Sequence, residues 1–438
     1  MTVHHKILCC SVLLAGVGLS LAVTPPAQAD GPGVGPPAIV SMGDSSISGE
    51  GGRWAGGRLD QQAAGVDVGN GVYNDFKLPG SPVGLAEEIP TCHRSDSAEV
   101  HIGGGLISKN LACSGSMTTT YNITSTDAND PWKPGLDSQS AVVNGQQRVG
   151  QVQMLEDYAR THNVKAILVG VSANDYNFAD IVARCVERYW FTWQWMLTPN
   201  YCNSGVDEAD VTDVLSPANQ AAITQDIVDA IARIRNAMVE AGYDNTDYQI
   251  IMQTYWSSIP RGDGFDWPER DFDTAGNSRI IYGGCPLYNA DATWLNDVVL
   301  GTINDGVKNA YSTIKAYADN GWFPKVHLLD MQKALVGHRL CERPAGKLEM
   351  YSALSSWKSP RAVDLLEWVV AARPGAPTPY TNAYSSKESA HANYFGQMAM
   401  RNCLRQAWNG GNVRGGRCEQ TGEKGLTSLG EPKMVLQP

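Results

Sequence analysis

Four short runs rich in Val, Ile and Leu, at residues 38–42, 164–171, 248–254 and 325–331, recur along this 438-residue chain with helical stretches between them. Runs of that length and composition suit strands buried on both faces of a parallel sheet. The clearest intervening helix starts at Ser216-Pro217, an N-cap followed by proline in the first turn. Ile223, Ile227, Ile231, Ile234 and Met238 then recur at helical spacing on one face, and Gly242 closes the element. Two further helices are predicted over 147–162 and 292–318. This alternation predicts an α/β fold, a three-layer α/β/α sandwich around a mainly parallel central sheet. Residues 49–137, weak in periodicity, and 186–205, dense in aromatics, read as loop insertions. Neither a repeat nor a low-complexity linker divides the chain, so residues 30–438 are expected to form one domain.

The N-terminus reads differently. His4, His5 and Lys6 precede an apolar stretch over 7–23, and Ala27-Gln28-Ala29 forms a small-x-small cleavage site ahead of Asp30. Residues 1–29 are therefore expected to be a secretory signal peptide, cleaved near Ala29 to release a secreted protein without a stable membrane anchor. Of ten cysteines, Cys9 and Cys10 fall in that segment, leaving Cys92, Cys113, Cys185, Cys202, Cys285, Cys341, Cys403 and Cys418. An even number in an exported chain reads as disulfides, and pairing neighbours along the chain joins 92–113, 185–202, 285–341 and 403–418. No Cys-x-x-Cys pair suggests zinc, and no metal or cofactor is expected. A formal net charge of −11 without a basic stripe argues against a nucleic-acid partner.

Chemistry enters at Gly43-Asp44-Ser45, directly after the first apolar run. That places the Ser45 hydroxyl at the carboxyl end of a strand, where open α/β sheets build their sites. Gly-Asp-Ser is also ordinary turn composition, so the serine needs a base and oxyanion donors from elsewhere. Three further segments offer them. In Asn110-Leu111-Ala112-Cys113-Ser114-Gly115-Ser116, Gly115 can present its N–H unobstructed, or the segment is a turn beside a disulfide. In Val169-Gly170-Val171-Ser172-Ala173-Asn174-Asp175, Asn174 can donate its amide, or the Asn-Asp pair caps the next helix. In Glu388-Ser389-Ala390-His391, the histidine opens an amphipathic stretch, with Glu388 close enough in sequence to fix the imidazole.

The four pieces occur in the order Ser, Gly, Asn, His. In this the chain resembles the SGNH (GDSL) hydrolase superfamily. With Cys285-Pro286, Gly337-His338-Arg339-Leu340-Cys341 and His391-Ala392-Asn393, it resembles the secreted actinomycete lipase and esterase branch. The resemblance covers most of the chain after residue 29 in motif order. It implies a flavodoxin-like sandwich, Ser45 as nucleophile, and an oxyanion hole of the Ser45 and Gly115 N–H groups with the Asn174 side chain. It implies His391 as general base and acid, and no metal. Glu388 stands where the family often carries Asp, and some members of this branch use a backbone carbonyl instead. The family's Gly-x-Asn-Asp is here Ser172-Ala173-Asn174-Asp175, so a serine stands where a glycine is usual.

Trp190, Trp193 and Trp195, between Cys185 and Cys202, line the substrate pocket in one reading and seal a stapled excursion in another. Trp54 is a further candidate pocket wall. His93, His101, His162, His327 and His338 are too scattered to suggest a metal site. The expected activity is hydrolysis of a small-molecule, lipid or glycoside carboxylic ester through an acyl-enzyme, by a monomer. Alternatives are a carbohydrate deacetylase or an acyltransferase on the same site, or a non-catalytic binding protein on a hydrolase scaffold.

Overall fold

The computed structural model describes residues 31–57, 84–122, 132–195, 199–204, 213–269, 278–352, 356–371 and 387–438, with isolated positions 62–63, 73, 76–77 and 354. The expected signal peptide lies outside the described residues.

A seven-stranded sheet forms the middle layer. Its strands are β1 (Pro37–Gly43), β2 (Ile107–Asn110), β3 (Asn163–Gly170), β4 (Gln249–Gln253), β5 (Lys325–Asp330), β6 (Gly416–Gln420) and β7 (Met434–Gln437). They lie in the order β7-β6-β5-β4-β3-β1-β2. All neighbours are parallel except β7, which pairs antiparallel with β6. Along β1 and β3 nearly every residue is buried. Successive side chains point to opposite faces, so both faces of the sheet are covered. Helices α2 (Gln151–Ala159), α4 (Pro217–Glu240) and α5 (Leu300–Asp319) pack side by side, and α6 (Tyr394–Trp408) packs against β6 and β7.

The strand order turns back between β1 and β3, and such switch points open a crevice at the carboxyl ends of the strands. There, Gly43 pairs with Gly170. Gly43 has φ +139°, and a Cβ on it would stand 1.8 Å from the Gly170 carbonyl oxygen. A Cβ on Gly170 would run into Ile47. The two glycines thus let the four-residue helix α1 (Ser45–Ser48) sit directly on the strand ends.

The α4 boundaries follow its sequence signals. The Ser216 hydroxyl accepts from Asn219 N–H, and Gly242 takes φ +92° just past the end. Elsewhere the structure departs from expectation. The helix predicted from 147 begins only at Gln151, because Gln146–Val149 pairs with Ser140–Val143 as a two-stranded ribbon. The helix predicted from 292 is a short α-helix at Asn289–Trp294, a π-helical turn at Leu295–Val299, and then α5. The 49–137 insertion contains β2, a strand of the central sheet. In the 186–205 stretch the chain stays helical as far as Trp195, as part of α3 (Phe178–Trp195). Disulfides join Cys92 to Cys113, Cys185 to Cys202, Cys285 to Cys341 and Cys403 to Cys418. Among the described residues no helix is long and apolar enough to cross a membrane.

Candidate active site

Ser45 is the first residue of α1. Asp44 caps that helix, accepting from Ser46 N–H at 2.9 Å and from the Ser46 hydroxyl at 2.8 Å. Tyr255 donates to the other Asp44 oxygen at 2.5 Å. Burial raises the Asp44 pKa above the usual carboxylate range, although these donors oppose the shift. Capping by Asp44 leaves the Ser45 hydroxyl unspent, and at a helix start the Ser45 N–H has no intrahelical partner. The Ser45 hydroxyl lies 2.8 Å from Nε2 of His391.

His391 does not open α6. It stands in a turn whose backbone bonds to Val370, its own carbonyl accepting from Val370 N–H at 2.8 Å. The α6 N-cap is Asn393, whose side chain accepts from Phe395 and Gly396 N–H and donates to the Glu367 carbonyl at 2.7 Å. The spacing His-x-Asn therefore couples the imidazole to a fixed helix start. Nδ1 of His391 lies 3.1 Å from the backbone carbonyl oxygen of Ser389.

Glu388, expected beside the imidazole, is committed elsewhere. It is fully buried and bonds the Arg53 guanidinium, the Tyr73 hydroxyl and Nε1 of Trp54, the last at 2.8 Å. Arg53 is also buried and requires a counter-charge, which Glu388 supplies. The same cluster claims Trp54, with the Arg53 guanidinium 4.4 Å over its ring and its N–H satisfied. Trp54 does not line the central cavity described below.

Gly115 and Asn174 meet at the crevice from different strand ends. Gly115 takes φ +80°, and its N–H donates to no carbonyl among the described residues. Asn174 and Asp175 do not cap α3. The Asn174 amide donates to the Ser116 carbonyl at 2.8 Å, and Asp175 accepts from the Thr118 hydroxyl at 2.6 Å and Thr118 N–H at 3.1 Å. The Asn-Asp turn is thus zipped to the glycine loop, and the amide keeps a second N–H for a ligand. Burial lifts the Asp175 pKa to about 6 against the pull of the Thr118 bonds. Ser172, which stands in for the glycine of the related motif, adopts φ +131°.

Two residues at this site carried no sequence signal. Gln151, at the start of α2, brackets Gly43: its Oε1 accepts from Gly43 N–H at 2.8 Å, and its Nε2 donates to the Gly43 carbonyl at 2.9 Å. The same Nε2 reaches the Ser116 hydroxyl at 3.1 Å, tying nucleophile turn to glycine loop. Glu50, fully buried, accepts from the Ser114 hydroxyl and lies 2.7 Å from Nδ1 of His93. The oxygen to which Ser114 donates is 3.5 Å from Nε2 of His391. Burial pulls the Glu50 pKa up, but the two histidines and the Ser114 bond outweigh it and bring it to about 2.

Ser45, Gly115, Asn174 and His391 all line one cavity of about 1080 Å³. Phe178, Val182, Val186 and Trp190, spaced four residues apart on α3, form one wall with Trp256, Leu300 and Ile303. A smaller apolar recess adjoins it between Val186, Trp256, Leu295 and Leu340. The side chains of Trp193 and Trp195 lie outside the described residues. The one group of His, Cys, Asp or Glu side chains close enough to hold a metal, among the described residues, is Cys185, Cys202 and Asp291. Its two sulfurs are bonded to each other.

No family model matches the sequence, and no curated protein matches it. Among solved structures, the chain is similar to an extracellular lipase from Streptomyces rimosus at 13% identity and a TM-score of 0.38, covering 85% of this chain and 100% of that one. It is similar to phospholipase A1 from Streptomyces albidoflavus NA297 at 14% identity and a TM-score of 0.38, covering 85% and 99%. A carbohydrate acetylesterase from Sinorhizobium meliloti, Est24, follows at 12% identity and a TM-score of 0.25, covering 66% and 83%.

Proposed function

We propose that this chain is a secreted serine hydrolase of carboxylic esters. The observation that carries the reading is the 2.8 Å contact between the Ser45 hydroxyl and Nε2 of His391, opening onto a largely apolar cavity. A serine hydroxyl becomes a competent nucleophile when a positioned imidazole takes its proton. Ser45 attacks the ester carbonyl as His391 accepts that proton. The resulting oxyanion is held by the Ser45 and Gly115 N–H groups and the Asn174 amide. His391 then returns the proton to the departing alcohol, leaving an acyl-enzyme. Water, activated by the same imidazole, attacks this ester and releases the carboxylic acid and the free serine.

The α3 wall favours an acyl chain over a sugar. Its apolar residues from Phe178 to Trp190 span twelve positions, about 18 Å of helix at about 1.5 Å per residue. Desolvating methylenes against that wall is favourable at about 0.8 kcal/mol each. A panel of p-nitrophenyl esters from acetate to palmitate tests the reading, using the protein and its Ser45→Ala variant. The expected result is activity that rises beyond acetate and vanishes in the variant. Activity on acetate alone would favour a deacetylase. Activity that survives Ser45→Ala would overturn the proposal.

A further inference from the structure

We propose that Glu50 is the carboxylate that stabilises protonated His391, acting from the Nε2 side of the ring in place of an acid on Nδ1. The inference rests on the serine-hydrolase reading and deepens it. Among the described residues, the imidazole meets only the neutral Ser389 carbonyl on its Nδ1 side, and Glu388 is held by Arg53, Trp54 and Tyr73. On the Nε2 side, the Glu50 oxygen at 3.5 Å flanks the same nitrogen that faces Ser45. When the Ser45 proton moves to Nε2, the new positive charge forms beside a fixed buried anion. Such a pair interacts strongly where water is excluded.

Glu50 is built to stay in place and charged. One oxygen is bound by His93 and the other by the Ser114 hydroxyl. The His93 ring is stacked on Tyr73 at 4.8 Å. Gly49 ahead of it takes φ +93°, and a Cβ there would collide with Ser95 and Ala98, so the chain enters this position in one conformation. Ser114 directly precedes Gly115, which links the carboxylate to the oxyanion loop. The other ionisable groups around the pair are Asp44 on the nucleophile turn, Tyr73, His93, the Arg53–Glu388 pair, Lys133 beside Ser114, and Asp180, Glu187 and Lys387 on the cavity lining. Of these carboxylates, only Glu50 lies within 4 Å of the His391 ring nitrogens. Glu50 is thus a positioning residue, acting through His391 rather than on the ester.

The experiment is the pH dependence of inactivation by a fluorophosphonate, which needs no knowledge of the natural ester. Ser45 Oγ bonds to phosphorus, fluoride leaves, and the hydroxyl proton passes to His391. In Glu50→Gln the acid limb of the rate profile should move down by about one pH unit, because a neighbouring anion no longer favours the protonated ring. The plateau rate should fall by about tenfold. Glu50→Asp, which keeps the charge, should retain an acid limb nearer the wild type and serves where the Gln variant fails to fold. An unmoved limb in the folded Gln variant, or an Asp variant with the limb moved as far as in Gln, overturns the role of Glu50 alone. A wild-type protein that the probe does not label at Ser45 overturns both this inference and the reading beneath it.

Discussion

The Ser389 carbonyl oxygen lies 3.1 Å from Nδ1 of His391, so the imidazole is oriented by the backbone of its own turn. Glu388, one residue further back, neutralises Arg53 instead. The two arrangements predict different consequences for Glu388→Gln. Losing a triad carboxylate costs on the order of 10⁴ in kcat. Here we expect kcat within about fivefold of the wild type, with the acid limb of its pH profile unmoved. Stability should fall by about 3 kcal/mol, because Arg53 loses its buried counter-charge. Chemical denaturation read beside ester kinetics separates the two, and a thousandfold loss of kcat in a folded variant would contradict this placement.

Asn174→Ala should remove one oxyanion donor and lower kcat by on the order of 10²–10³, with KM little changed. The amide also bonds the Ser116 carbonyl, so a modest loss of stability should accompany the kinetic effect. A change in KM alone would mean that Asn174 binds the ground state rather than the oxyanion.

Ser172 holds φ +131° with its hydroxyl buried and, among the described residues, without a hydrogen-bond partner. Glycine at this position relieves both costs, set against its greater freedom in the unfolded chain. Ser172→Gly is therefore expected to stabilise the protein by about 1 kcal/mol, read from denaturant midpoints, with activity retained. Destabilisation would show that the serine side chain makes a packing contribution larger than its strain.

Glu99 is fully buried, with Gln253 donating to it at 2.8 Å. Burial lifts its pKa from 4.5 to about 8, against the Gln253 bond and the charge of Arg401. Between those values the folded protein keeps a proton that the unfolded chain releases, so this group's contribution to stability falls as pH rises. Asp175, raised to about 6, acts in the same direction. Glu99→Gln keeps a neutral partner for Gln253 and should flatten the decline. The variant should gain on the order of 4 kcal/mol over the wild type at pH 8 relative to pH 4.5. Parallel stability curves would refute it.

What the sequence revealed of the fold was its buried centre. β1, β3 and β4 carry apolar runs that are buried nearly throughout, because parallel strands between two helical layers have no solvent face, while β5, reading Lys-Val-His-Leu-Leu-Asp, is marked by Val326, Leu328 and Leu329 although it is only partly buried. β2, reading Ile-Ser-Lys-Asn, and β6, reading Gly-Arg-Cys-Glu-Gln, lie toward the edges and are only partly buried, so neither composition nor period marks them. At the site, Ser45, Gly115, Asn174 and His391 are visible because each sits in a local turn motif. Glu50 and Gln151 are not. Glu50 finds His93 at a distance of 43 residues, and Gln151 finds Gly43 across 108. Long-range partners of buried polar groups leave no local pattern. Glu388 misled for the same reason: its closeness to His391 in sequence was plain, and its bond to Arg53, 335 residues away, was not.

The most direct test of the account is the intact mass of the protein after fluorophosphonate treatment, followed by peptide mapping, for the wild type and His391→Ala. We predict a single adduct on Ser45 in the wild type, and labelling slowed by at least about a hundredfold in the variant, since an unassisted serine hydroxyl is a weak nucleophile. Labelling at another residue, or equal labelling of Ser45 without His391, would contradict it.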